Sequence, residues 1–253
     1  MKAAVVPESV TETKLAEIKE IPKPTIDDDQ ILIKAEAGAI NPTDWKHIIV
    51  ARSSKPGDII GCDVSGIVEE VGSKVTNFKK GDAVSAYITG NISSVNGAFS
   101  EYVAAYPQAT IKYTNGLIHS TAVAKASTII KTFEGAASMT LGLATMVYLD
   151  SLLALDGNTI KTDPKRDKSV HWGYTFVDHS IIKVKKFGDK EYYQTPELFN
   201  DYYKWWQEIM PTIINKIKHA NLKILDNGLE SVNEALQLSK DSKVSAEKIV
   251  FTI

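Results

Sequence analysis

Up to Tyr113 the apolar residues come in short runs. KAAVV, KLAEIKEI, QILIKAEAGAI, DIIGCDVSGIVEEV, DAVSAYITG, AFSEYVAAY and ATIKY are rich in Val, Ile, Ala and Tyr. Turn residues divide them: Pro22 and Pro24, Asp27 to Asp29, Gly72 and Ser73, Lys80 to Asp82, and Asn96 with Gly97. Runs of this length between such breaks predict strands. Several of them in succession predict a sandwich or a partly open barrel.

The pattern changes after Gly116. The stretch STAVAKASTIIKTFEGAASMTLGLATMVYLDSLLAL predicts one or two helices, and from Ala136 to Leu155 its apolar residues lie nearly all round. A helix of that kind is buried on most sides. DGNTIKTDPKRDKS, Asp156 to Ser169, is polar and reads as a loop or linker. VHWGYTFVDHSIIKV has strand content. TPELFNDYYKWWQEIMPTIINKIK is helical: Thr195 can cap it, Pro196 suits the first turn and Glu197 suits the positive end of the dipole. Pro211 should kink this helix or begin a second one. Its aromatic stripe, Phe199 to Trp206, reads as core. The chain closes with strand NLKIL, helix GLESVNEALQLSKD and strand KIVFTI.

The length of 253 residues allows one large domain or two ordinary ones. A hydrophobic share of 43% with 24% charged residues excludes a disordered chain. The net charge of −2 gives a nucleic-acid surface little support. The single cysteine, Cys62, excludes an internal disulfide framework and any multi-cysteine zinc site. The start, MKAAVVPESV, lacks the apolar length of a signal sequence, and no run reaches the ~18 apolar residues of a membrane span. These features point to a cytoplasmic protein without membrane contact.

Gly61, Gly66, Gly72 and Gly81 are spaced five, six and nine residues apart. Glycine inside a strand pattern marks a bulge or a close backbone approach, and glycine before Ser73 or Asp82 marks a turn. These glycines therefore serve a scaffold rather than a phosphate loop. Asp44, His47, Cys62 and Asp63 have residue types suited to a metal, but a plain structural role is the expectation and no metal is assigned. His171 and His179 are too far apart on one strand to share a metal, and no nucleophile with a base is signalled by spacing.

Five segments together carry a resemblance: INPTDWKH (Ile40 to His47), GCDVSGIVEEVGSKVTNFKKGDAV, NGAFSEYVA (Asn96 to Ala104), EGAASMTLGLATM (Glu134 to Met146), and the closing GLESVNEALQLSKDSKVSAEKIVF. The chain resembles the medium-chain dehydrogenase/reductase superfamily, in its zinc-independent quinone reductase and fungal trans-enoyl-reductase-like branch. The likeness covers about 1–155 and 195–253. It implies an α+β chain: a GroES-like, partly open β-barrel over 1–118, completed by about 219–253. A remnant of an α/β Rossmann portion would fill 119–218, with a junction near 163–169. Zinc-dependent relatives carry Cys at the position of Asn41 and His-Glu at Cys62 and Asp63, so the resemblance implies metal-free chemistry.

It also implies a hydride passing from NADPH to an enoyl, enone or quinone substrate. Asn41 and Thr43 would make polar contacts in the pocket, and Asp44 would hold a turn. Lys46 would place an ammonium near the developing enolate. Thr145 would lie near the nicotinamide. Lys248 matches the lysine of a closing Gly-Lys pair and would contact the cofactor, although here Ala246 and Glu247 precede it.

One feature departs from the resemblance. No two of the 15 glycines are closer than four residues, so the pyrophosphate-binding G-x-G is missing from this sequence. A full set of βαβ units, ~30 residues each, does not fit between Leu155 and Val170. The alternative expectation is a non-catalytic GroES-like binding or interaction module. Without the full sheet, the apolar helix 136–155 would need cover from the Tyr202–Ile217 helix or from a second copy of the chain.

Overall fold

The computed structural model describes residues 1–50, 53–113, 119–122, 183–187, 190–213, 221–244 and 247–253. The expected apolar helix 136–155, the polar junction 163–169 and Thr145 lie outside the described residues. The chain divides into two units, one of Met1–Ser127 with Asn200–Ile253 and one of Thr128–Phe199.

In the first unit, β1 (Lys2–Val5) pairs antiparallel with β2 (Glu17–Glu20). The main sheet contains β3 (Ile31–Ala39), β4 (Asp63–Val71), β5 (Ala83–Tyr87), β6 (Tyr102–Ala105), β7 (Thr110–Lys112), β10 (Asn221–Leu225) and β11 (Glu247–Thr252). Its order is β10-β11-β3-β4-β5-β7, with β6 also on β3. The described strands do not close into a ring, and all pairings but β10–β11 are antiparallel.

The short apolar runs are the reason for this architecture. Ile31, Ile33, Val64, Val68, Val84 and Ala86 share one core with Phe99, Val103 and Phe251. Alternate positions bring them to one face, as the period of a strand requires. Phe99 and Phe251 meet edge to face at 4.8 Å. The ladder between β3 and β4 slips at Ala35/Ala37, which turns the strand in the manner of a bulge.

Helix α1 (Pro42–Ile49) lies between β3 and β4 in sequence. Its start is written in polar residues: Asn41 is the N-cap, Pro42 takes the first position, and the Asp44 carboxylate accepts from the Asn41 backbone N–H at 2.7 Å. The closing segment forms β10, a 3-10 turn (Gly228–Ser231), α4 (Val232–Lys240) and β11. The intervening helices are α2 (Pro196–Lys204) and α3 (Met210–Ile213). Val232, Ala235 and Leu236 carry α4 onto the core, where Ile48 of α1 joins them.

Gly61 has a φ of +96°, and its carbonyl lies under Gly90 so closely that a Cβ there would be 1.7 Å from the oxygen. Only glycine permits that approach. The glycines of this stretch thus serve the scaffold.

Between α2 and α3 the helix widens into a π turn over Trp205–Ile209. Pro211 explains it. Proline has no N–H, so the Gln207 carbonyl four residues back loses its usual helical donor. Trp206 is buried there, and Gln207 reaches the sheet. Its Nε2 donates to the carbonyls of Pro107 and Thr110, and Asn77 Nδ2 donates to its Oε1 at 2.7 Å.

In the second unit, β8 (Val184–Phe187) and β9 (Lys190–Tyr193) pair antiparallel. Among the described residues no helix is long and apolar enough to cross a membrane.

Candidate functional site

Three elements remote in sequence bring polar side chains together at the start of α1. Asn41 comes from its N-cap, Asp63 from the first residue of β4, and Lys248 from β11. The Asn41 Nδ2 donates to Asp63 Oδ2 at 2.7 Å, and Lys248 Nζ donates to Asn41 Oδ1 at 2.7 Å. Lys248 Nζ also lies 3.9 Å from Asp63 Oδ2. The backbone holds this arrangement, since the Ile40 N–H donates to the Ile249 carbonyl at 3.0 Å.

A further set of contacts runs through Asn91. Its Oδ1 accepts from the Gly61 N–H at 3.0 Å, while Nδ2 donates to Asp44 Oδ1 at 3.2 Å and to Cys62 Sγ at 3.3 Å. Asn91 has a φ of +68°, a region that asparagine tolerates better than most residues. Asp44 and Asn91 are 0% exposed, Asp63 3%, Asn41 7% and Lys248 8%. Charged groups so deeply buried persist only when paired or hydrogen-bonded. Burial pushes the Asp44 carboxyl up to about 6, and the nearby Asp63 charge adds to the rise. The Asn41 N–H, the Asn91 amide and Lys248 oppose it.

The expected site residues are divided by this geometry. Asn41 and Lys248 meet. Thr43 and Lys46 are exposed on α1, with the Lys46 ammonium 5.6 Å from the centroid of the Trp45 ring. His47 pairs through Nδ1 with Ser53 Oγ at 2.7 Å. Among the described residues no three His, Cys, Asp or Glu side chains gather in a way that could hold a metal ion. Asp63 and Asn91 were not picked out as site residues. The Gly90-Asn91 pair after a strand signals a turn, but nothing in the sequence signals that its amide reaches Asp44.

Across the sheet, Tyr113 OH and His119 Nδ1 lie 2.7 Å apart, and Ser65 Oγ donates to the His119 carbonyl. Burial raises the Tyr113 hydroxyl and lowers His119. A groove of about 760 Å³ opens at the far end of α1, lined by Val6, Pro7, Leu15, Ile48, Ile49 and Lys240 among others. None of the cluster residues lines it. The convergent polar groups are at the cluster, so the cluster rather than the groove is the candidate site.

Residues 27–115 match the alcohol dehydrogenase GroES-like domain. The trans-enoyl reductase resD of Aspergillus sclerotiorum is 49% identical over 87 residues, 33% of this chain and 24% of that protein. The dehydrogenase pigH of Monascus ruber is 32% identical over 194 residues, 72% of this chain and 49% of that protein. The chain thus spans about a quarter of the first and about half of the second. Among solved structures, the human synaptic vesicle membrane protein VAT-1 homolog-like protein shares the fold. Its TM-score is 0.66 at 16% identity, over 100% of this chain and 98% of that one. Residues 27–115 belong to the alcohol dehydrogenase GroES-like domain family, in a chain that is homologous over part of its length to trans-enoyl reductases.

Proposed function

We propose that the chain is a zinc-independent oxidoreductase of the quinone or enoyl reductase type, contributing the substrate-side domain, and that it works in the cytoplasm. The Asn41–Asp63–Lys248 cluster carries this reading. It is a buried polar, charged site in which two carboxyls and an ammonium converge on one asparagine, and it holds its own cation. Thr43 and Lys46, exposed on the same helix, would meet a small enoyl, enone or quinone substrate. The named reductases among the sequence relatives support the substrate class.

The reductant of such chemistry is a nicotinamide dinucleotide, which supplies a hydride when bound, and NADPH is the form expected. The described residues do not fit its pyrophosphate. A dinucleotide needs backbone N–H groups at a glycine-rich helix start. At α1 that position is occupied by the buried Asp44 carboxyl, with Asp63 beside it, and two acidic groups oppose an anion. No step is therefore routed through the dinucleotide. Thr145, proposed to lie near the nicotinamide, is outside the described residues.

The missing G-x-G favours a second reading: a non-catalytic GroES-like module that binds a small apolar molecule or a second copy of the chain. NADPH titration followed by nicotinamide fluorescence and thermal shift separates the two. A response at micromolar NADPH, with consumption in the presence of an enone or quinone, supports the oxidoreductase. No response at millimolar NADPH sinks it and leaves the binding module.

A further inference from the structure

We propose that Lys248 is a positioning residue: its ammonium orients the Asn41 amide and neutralises Asp63, leaving Asp44 as the carboxyl of the cluster that takes up and releases a proton. This goes beyond the sequence resemblance, which would make Lys248 a cofactor contact. It rests on the oxidoreductase reading only for its effect on turnover.

The orientation follows from hydrogen-bond chemistry. A side-chain amide has one accepting end and one donating end. Here the accepting Oδ1 faces the ammonium at 2.7 Å and the donating Nδ2 faces the Asp63 carboxylate at 2.7 Å. The reversed amide would set NH₂ against NH₃⁺ and oxygen against a carboxylate. Lys248 and Asp63 thus decide which way Asn41 points. Lys46 cannot do this, because it is exposed and directed over Trp45.

The charge count assigns the proton. Asp44, Asp63 and Lys248 are all more than nine-tenths buried, so two carboxyls share one ammonium. Asp63 has Lys248 beside it. The hydrogen bonds to Asp44 come from neutral donors, the Asn41 N–H at 2.7 Å and Asn91 Nδ2 at 3.2 Å. The other titratable groups nearby are Cys62, in contact with Asn91, and His47 of α1, which is paired with Ser53. A second buried charge without a cation is costly, so Asp44 keeps its proton to a higher pH than an ordinary aspartate.

The test is urea unfolding of the full chain from about pH 4.5 to 8, with Asp44→Asn as the reference that locates the Asp44 transition. Lys248→Met should move that transition up by about one pH unit, and Lys46→Met should leave it in place. An unmoved transition in Lys248→Met, or an equal shift in Lys46→Met, overturns the proposal. Where Lys248→Met does not fold, the pair Asp63→Asn with Lys248→Met decides. Recovery of folding in the double variant supports the neutralising role, and a double variant that also fails to fold overturns it. Turnover of an enone with NADPH is measured alongside. A wild type that does not turn over removes the oxidoreductase reading and leaves the titration result intact.

Discussion

Lys248 and Asn41 are 207 residues apart in sequence, and Lys248 Nζ donates to Asn41 Oδ1 at 2.7 Å. The contact ties the closing strand β11 to the cap of α1. Asn41 therefore has two duties, beginning a helix and joining Lys248 to Asp63. Asn41→Ala removes both and leaves a buried ammonium and a buried carboxylate short of a partner. A cap substitution costs about 1 kcal/mol and a lost hydrogen bond to a charged group about 1.5–3 kcal/mol. With two such hydrogen bonds lost, chemical unfolding at neutral pH should show a loss of about 4 kcal/mol or more. A loss below about 1 kcal/mol would mean that the cluster relaxes around the gap.

Asp44 gives the protein a pH dependence of definite sign. Burial raises its folded value from 3.8 to about 6, so the folded state holds the proton more tightly than the unfolded state. Its contribution is fully present below the ordinary value and is lost as pH rises through about 6. The change is on the order of 3 kcal/mol. His119 acts in the opposite sense. Burial depresses its value, and its contribution is lost as pH falls below the ordinary 6.5. The two overlap, so the wild-type curve alone is ambiguous. The difference between wild type and Asp44→Asn isolates the first, and it should decline from about pH 4.5 to 7. Glu17, held low by Lys14 and Lys19, and Asp28, held low by Ser73 and Lys74, titrate below this window. A flat difference curve would falsify the assignment.

The sheet was legible because its signal is local. Each of β1 to β7 falls within a short apolar run bounded by turn residues, and the closing strand, helix and strand follow the same logic. Helix α1 was less visible. It is short, and its evidence lies in the cap, Asn41, Pro42 and Asp44, rather than in apolar periodicity. The site was half legible. Asn41 and Lys248 stood out by family position, yet nothing linear says that they touch. Asn91 was invisible as a site residue, because its role comes from a positive φ and a buried amide that only the folded chain brings to Asp44. The π turn could have been read from Pro211, but a proline inside a helical pattern allows a kink, a break or a widened turn equally.

Gln207 is the link between that π turn and the sheet. Its amide serves Asn77, Pro107 and Thr110, and β7 is an edge of the main sheet. An edge strand shows unpaired backbone groups unless something covers them. Gln207→Ala should lower stability by about 2–3 kcal/mol and speed amide exchange in 107–112 more than in β3 or β4. Uniform exchange along all strands would instead mark a global loss with no local role for the amide.

Two glycines of the sheet domain should respond differently to the same substitution. Gly81 has a φ of +91°, and a methyl group added there would meet nothing within 4 Å, so alanine faces only backbone strain. The cost should be about 1 kcal/mol, and Gly81→Asn should recover part of it because asparagine accepts a left-handed backbone. At Gly90 the Cβ would fall 1.7 Å from the Gly61 carbonyl oxygen. No rotamer relieves a clash between a Cβ and a backbone atom, so one of the two segments must move. The movement would separate the Gly61 turn from the loop that holds Asn91, and with it Asp44 and Cys62. Gly90→Ala should therefore destabilise by more than about 3 kcal/mol, and it should also abolish the Asp44 transition in whatever folded protein remains. Comparable melting temperatures for the two alanine variants would show that the approach of Gly90 to Gly61 is not what fixes the cluster.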